Sequence, residues 1–237
     1  NEVMLYKRQD SRTGKTIFSM FPDTSPVKVW EESEWRSDIW EPLDYGRSYD
    51  WSKSLLAQFF ELSREIPWPS RSITVGVIDS DYSNNASYIK NCYLVFGTGE
   101  AENCYYSDNC LKVKDVFDCA YSWRSELSYE LFNSQDCYQA FFSLDCESST
   151  DIWFCKDCVG LSHCFGCAGL RNKSYHIFNQ PYSKEEYKKY LENFGYTSYK
   201  KLLEIKEEAR DFWLKKPVKY IHGRHNNNCS GEYIYNS

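Results

Sequence analysis

At 237 residues and a formal net charge of −6, the chain is sized for one domain or two small ones. The acidic balance and the lack of a long basic run disfavour nucleic acid as a partner. No stretch has the length and apolarity of a membrane-spanning helix, and Asn1-Glu2-Val3 does not resemble a signal peptide; the missing initiator methionine is expected of a processed chain or of a fragment.

Residues 1–72 read as an N-terminal cap of strands and a helix. Met4-Leu5-Tyr6-Lys7 and Thr16-Ile17-Phe18-Ser19-Met20 flank a turn-like Asp10-Ser11-Arg12-Thr13-Gly14 and predict a hairpin. Val27-Lys28-Val29-Trp30 alternates like a strand. Trp30, Trp35 and Trp40 need burial, which the end or aromatic face of the following element would provide. Ser52 is placed to cap a helix over 53–62 whose Leu55, Leu56, Phe59, Phe60 and Leu62 make a broad apolar side, with Pro67 and Pro69 closing the segment. Ile73 to Ile78 reads as the strand that enters the next unit.

From Val77 to Leu170 every third residue is small or aliphatic, and all the cysteines except Cys229 fall in that register. A period of three fits neither a helix nor a flat strand. A second period of twelve is superimposed on it. The residue after the small one is aromatic at Tyr93, Tyr105, Phe117, Tyr129, Phe141, Trp153 and Phe165, and the residue before it is usually polar, as at Asn91, Asn103, Asp115, Gln139, Asp151 and His163. Four inward positions in twelve residues describe one coil of a narrow β-solenoid whose axis admits only small side chains. The expected fold is therefore mainly β: a solenoid over 73–178 of about eight coils, rising roughly 4.8 Å per coil, with flanking and capping helices. Residues six apart, Cys104 with Cys110 and Cys158 with Cys164, would face each other across the axis; Cys92 with Cys104, and Cys155 with Cys167, would stack. Buried free thiols acting as small hydrophobes suit a reducing, cytoplasmic setting, and disulfides would suit an extracellular one.

This coil resembles that of the narrow, cysteine-rich insect antifreeze solenoids. The triplets here are Asn91-Cys92-Tyr93 and Asn103-Cys104-Tyr105 and carry no paired threonines, so the resemblance implies the architecture and not ice binding.

After Leu170, Arg171-Asn172-Lys173 brings charge into the small-residue register, so the tube must open or be covered there; Tyr175, Ile177 and Phe178 suggest a last strand. Residues 179–217 read as two helices. Ser183-Lys184-Glu185-Glu186 is a capping box for the first, which Gly195 stops, and Thr197 is placed to cap the second, which ends at Pro217. The helical pair and the Ser52 helix are expected to lie over the aromatic column, because seven exposed stacked rings exceed the apolar patch a soluble monomer carries. Residues 218–237 form a polar, asparagine-rich tail expected to be loose without a partner.

The segment from Phe165-Gly166-Cys167-Ala168-Gly169-Leu170 through Tyr182-Ser183-Lys184-Glu185-Glu186-Tyr187, the Asn-Cys-Tyr triplets and the upstream Tyr45-Gly46-Arg47-Ser48-Tyr49-Asp50 together resemble a poorly characterised family of environmental bacteria. The resemblance covers residues 27 to 190 and implies no activity. Relatives often look as if they carry paired Cys-x-x-Cys zinc ligands upstream; in the sequence shown no cysteine precedes Cys92.

Candidate chemistry is sparse. Cys155, Cys158, Cys164 and Cys167 have the spacing of a four-thiolate metal site, but the three-residue register explains that spacing by itself. His222, His225 and Cys229 offer metal donors in the tail. Outward acids at Asp108, Asp115, Asp118, Asp136, Asp145, Asp151 and Asp157 suit solubility, or glycoside chemistry if two of them flank an uncovered ring. The Asn-x-Ser sequons at Asn85, Asn172 and Asn228 carry weight only in a secretory setting. No cofactor or nucleophile motif is present. The reading that follows is a non-enzymatic structural or protein-interaction module, with self-assembly or a protein partner and the seven-ring column as its packing or interaction ladder. The alternatives are a carbohydrate-binding or carbohydrate-cleaving solenoid and a metal-binding or nucleic-acid-binding module.

Overall fold

The computed structural model describes residues 4–73, 75–195, 198–224 and 227–235. At the N-terminus β1 (Tyr6–Gln9) and β2 (Thr16–Ser19) form the expected antiparallel hairpin. Asp10 holds its turn: one carboxylate oxygen accepts the N–H groups of Arg12 and Thr13, and the other that of Glu31. β3 (Lys28–Trp30) pairs in parallel with β4 (Pro67–Pro69), so the two prolines lie in a short strand rather than only ending a helix.

Two α-helices lie between them, α1 (Glu32–Trp35) and α2 (Leu55–Glu65), and α2 is capped by Ser54, not Ser52. It does not lie over the aromatic column. None of its residues is buried, and Leu55, Leu56, Phe59 and Phe60 face outward. The strand pair β3–β4 holds this helix in the N-terminal unit, where Trp68 donates its indole N–H to the Ser63 carbonyl. The three tryptophans likewise pack on one another. Trp40 lies 5.9 Å from both Trp30 and Trp35 and 6.0 Å from Tyr45.

Parallel strands then pair residue i with i+12, from Val77 opposite Ile89 to Phe165 opposite Ile177, through one continuous sheet. They build a β-solenoid of about 8 turns. Four inward columns fill it. Cys110, Ser122, Ser134 and Cys146 stack in one of them and are at most 1% exposed.

Each triplet bonds the N–H groups of its two outer residues to backbone carbonyls and points the third inward. The residue after the inward one donates to an inward carbonyl one coil up, as Trp123 does to Ser134. The residue before it donates one coil down, as Asp136 does to the Trp123 carbonyl. The inward N–H points into the tube, where only a side chain can accept it. Ser80, Ser128, Ser134, Ser143 and Ser149 take the N–H groups of Cys92, Ala140, Cys146, Cys155 and Leu161, and the Cys119 sulfur takes that of Leu131. Serine and cysteine are thus chosen for their lone pairs as well as their size, since an unpaired buried N–H is costly.

The corner before each inward residue has positive φ, near +50°, from Asp79 to Phe178. This left-handed conformation costs an ordinary side chain roughly 1–2 kcal/mol and is easiest for Gly, Asn and Asp. It explains the polar residues read at Asn91, Asn103, Asp115 and Asp151. The rest of the series includes Leu127 and Phe142, which tolerate the strain.

At the far end, Ser174–Ile177 turns back antiparallel onto Gln180–Pro181. The Asn179 side chain closes the last coil by bonding both the N–H and the carbonyl of Ala168. α3 (Lys184–Phe194) carries the expected Ser183/Glu186 capping box and ends on left-handed Gly195. α4 (Tyr199–Leu214) is capped by Ser198; Thr197, the expected cap, lies outside the described residues. No helix among the described residues is long and apolar enough to cross a membrane.

Candidate interaction surface

Tyr93, Tyr105, Phe117, Tyr129, Phe141, Trp153 and Phe165 stand in one outward column, set by the twelve-residue register. The corner residues beside them make a second column that includes Tyr82, Tyr106, Phe142, Phe154 and Phe178. The two ends of this double column are covered by different elements.

The α3–α4 pair covers the C-terminal end. Phe194 contacts Phe165 at 5.0 Å, Trp153 at 6.1 Å and Phe154 at 6.2 Å, and Phe212 contacts Phe178 at 5.3 Å. Lys206 of α4 pairs with Glu130 and lies over the Phe142 ring, which marks the limit of the cover. At the other end, Phe18 of the hairpin meets Tyr82 edge-on at 4.8 Å.

Between these limits a window stays open. Tyr93, Tyr106 and Phe117 are 37%, 54% and 43% exposed. Tyr105 and Phe117 stack on one another, 4.6 Å apart and 13° from parallel, so one face of each is spent on the other. A polar stripe runs beside the window. Asn91 donates to Asn103, which donates to Asp115 at 2.7 Å. A neighbouring ladder alternates Lys90, Glu102 and Lys114. A shallow groove of about 330 Å³ lies at the window's N-terminal edge, lined by Asp79, Asp81, Asn91, Asn103, Tyr93 and Tyr105.

Cys155, Cys158, Cys164 and Cys167 are wholly buried and occupy three different columns of the tube. Their sulfurs donate to backbone carbonyls, as Cys158 does to Lys156 and Cys167. Burial pushes the Cys110, Cys119 and Cys137 thiols up to about 11, 12 and 11. His163 is outward at a corner, 2.5 Å from the Asp151 carboxylate.

A cluster that periodicity does not reveal forms where the tail returns. Rather than trailing free, the described part of 218–235 lays His222 against the solenoid, with a short parallel pair between Gly223–Arg224 and Ile234–Tyr235. His222 meets Asp145 and Asp157, adjacent members of one corner column. Burial raises the Asp145 pKa, although an Asn133 hydrogen bond opposes the shift. Burial also acts on Asp157, but Lys219 and His222 outweigh it and hold that carboxyl below its usual range. His225 lies outside the described residues, and Cys229 is exposed. Asp145 and Asp157 are twelve apart, so their adjacency was readable; the partner contributed by the tail had no periodic signal.

A scan of protein-family models and a search of curated proteins return no match to this chain.

Proposed function

We propose that the chain is a non-enzymatic interaction module that presents a rigid solenoid face to a protein partner or to further copies of itself. The observation that carries this reading is the window of Tyr93, Tyr105, Tyr106 and Phe117, left open between the hairpin and the helical pair. Covered rings on both sides of it indicate that the fold shields this column wherever its own elements reach. Exposed aromatic rings flanked by hydrogen-bonding ladders combine the apolar centre and polar rim of protein interfaces. The outward apolar side of the Leu55–Glu65 helix adds a second contact surface of the same kind. Free buried thiols accord with a reducing compartment.

Carbohydrate is the second reading, supported by the groove in which Asp79 and Asp81 flank Tyr93 and Tyr105. Against it, the stacked faces of Tyr105 and Phe117 are not free to receive a sugar ring.

The test places a photo-crosslinking residue at position 106 and, as a control, at position 114 on the charged ladder. A discrete protein adduct from 106, lost on combining Tyr105→Glu with Phe117→Glu at an unchanged melting temperature, is the expected result. Equal adducts from both positions would contradict the reading. Glycan binding abolished by Asp79→Asn with Asp81→Asn would replace it with the carbohydrate reading.

A further inference from the structure

We propose that Asp145, Asp157 and His222 form a binding site for a divalent cation of the zinc class, which fastens the C-terminal tail to the solenoid. Among the described residues this is the one place where three metal-capable side chains converge, with all ligand atoms within 4.8 Å of one another. His222 Nε2 lies 3.1 Å from Asp157 Oδ1 and 3.9 Å from Asp145 Oδ2. Ligand atoms around a tetrahedral ion with bonds of about 2.0–2.1 Å stand roughly 3.3 Å apart. Small rotations of the two carboxylates therefore bring the set to coordination distance.

The orientation of the imidazole points the same way. Glu232 accepts both the backbone N–H of His222, at 2.6 Å, and its Nδ1, at 3.2 Å. Nδ1 must carry a hydrogen to make that bond. The other nitrogen, Nε2, then turns toward two carboxylates. Two carboxylate oxygens facing one imidazole nitrogen form a donor set that a divalent cation can bridge. A carboxylate behind a histidine whose far nitrogen faces further acids is also the arrangement that orients metal-bound histidines.

Charge points the same way. Asp145, Asp157 and Glu232 bring three carboxylates, and among the described residues the ammonium of Lys219, 2.9 Å from Asp157 Oδ1, is set against them. The Asp145 and Asp157 side chains are 6% and 10% exposed, and that of His222 is 15% exposed, so water screens the excess negative charge poorly. Asn133 donates to Asp145 Oδ1 at 2.6 Å, which leaves Oδ2 directed at His222. One nitrogen and two carboxylate oxygens with a free fourth position suit zinc better than magnesium or calcium, which favour all-oxygen sets. On binding, the ion takes Asp157 Oδ1, and Lys219 moves to the other oxygen or to solvent.

The test uses the full chain after chelator treatment, titrated with zinc chloride by calorimetry. One equivalent is expected to bind. His222→Ala should abolish that binding, and Glu232→Gln should weaken it about 10–100-fold, each at an unchanged melting temperature without metal. Zinc should also slow tryptic cleavage after Lys219 in the parent chain and not in His222→Ala. Cobalt in place of zinc should give weak visible bands without an intense near-ultraviolet thiolate band. No binding by the parent chain, binding unchanged in His222→Ala, or a strong cobalt–thiolate band placing the metal on cysteine would each overturn the proposal.

Discussion

The backbone N–H of Cys146 donates to the Oγ of Ser134, 3.3 Å away and one coil below. Ser134 in turn donates to the Phe132 carbonyl at 3.1 Å and is 1% exposed. Ser134 is thus both a space-filler and the acceptor for an amide that nothing else can reach. Ser134→Cys keeps both roles, as Cys119 does toward Leu131, and should change stability by less than about 1 kcal/mol. Ser134→Ala leaves the Cys146 N–H unpaired and should cost about 1–3 kcal/mol. Ser134→Leu adds overpacking to that loss and should cost about 3 kcal/mol or more. Glu126→Ala, on the outside, should move the urea midpoint scarcely at all.

Corner strain gives a prediction of opposite sign. Leu127 has φ of 49° and is partly exposed, between Asp115 and Gln139 of the same column. Leu127→Asn should raise stability by about 0.5–1 kcal/mol, because asparagine adopts the left-handed region more readily. Gly166 shows the reverse case. A Cβ there would come within 2.7 Å of the Phe178 ring, so Gly166→Ala should destabilise the chain and loosen Phe178 from Phe212. Thermal unfolding followed by near-ultraviolet dichroism reads both effects.

Cysteine reactivity separates the register from the tail. Every cysteine but Cys229 is buried, and all are free thiols. With folded protein, iodoacetamide should label Cys229 within minutes and the others only at the rate of unfolding. Mass spectrometry after timed labelling shows which thiols react.

Acid stability should depend on Asp10. Burial opposes its ionisation, but the N–H groups of Thr13, Glu31 and Arg12 outweigh burial and hold its pKa below the ordinary carboxylate value. A depressed folded pKa contributes stability above the unfolded value and loses it as pH falls through the folded one. Asp10→Asn should therefore be less stable than the parent at pH 7, and the difference should shrink below about pH 4. Urea midpoints at pH 7, 4 and 3 measure it.

The tube was legible because its constraints repeat. One class of residue, small or aliphatic, at every third position from Val77 to Leu170 can be read without knowing any contact. The capping box at Ser183 and the turn at Asp10 were legible too, since each is local. Two features were not. Serine and cysteine at the axis read as small residues, and only the direction of the inward N–H groups reveals that they accept hydrogen bonds. The position of the Leu55–Glu65 helix depends on the pairing of Val29 with Trp68, a non-local contact that amphipathic spacing does not encode. The open window at Tyr93 to Phe117 and the return of His222 to Asp157 are long-range in the same sense. Their residues were visible, and their surroundings were not.

Amide hydrogen exchange, resolved residue by residue over the coils from Ala120 to Cys158, tests the account most directly. Bonded N–H groups at both outer positions, and at inward positions one coil above a serine or cysteine, predict slow exchange at Trp123, at Asp136 and at the inward Cys146. Fast exchange at Cys146 and the other inward amides above serine, with protection only at the outward two positions, would contradict it.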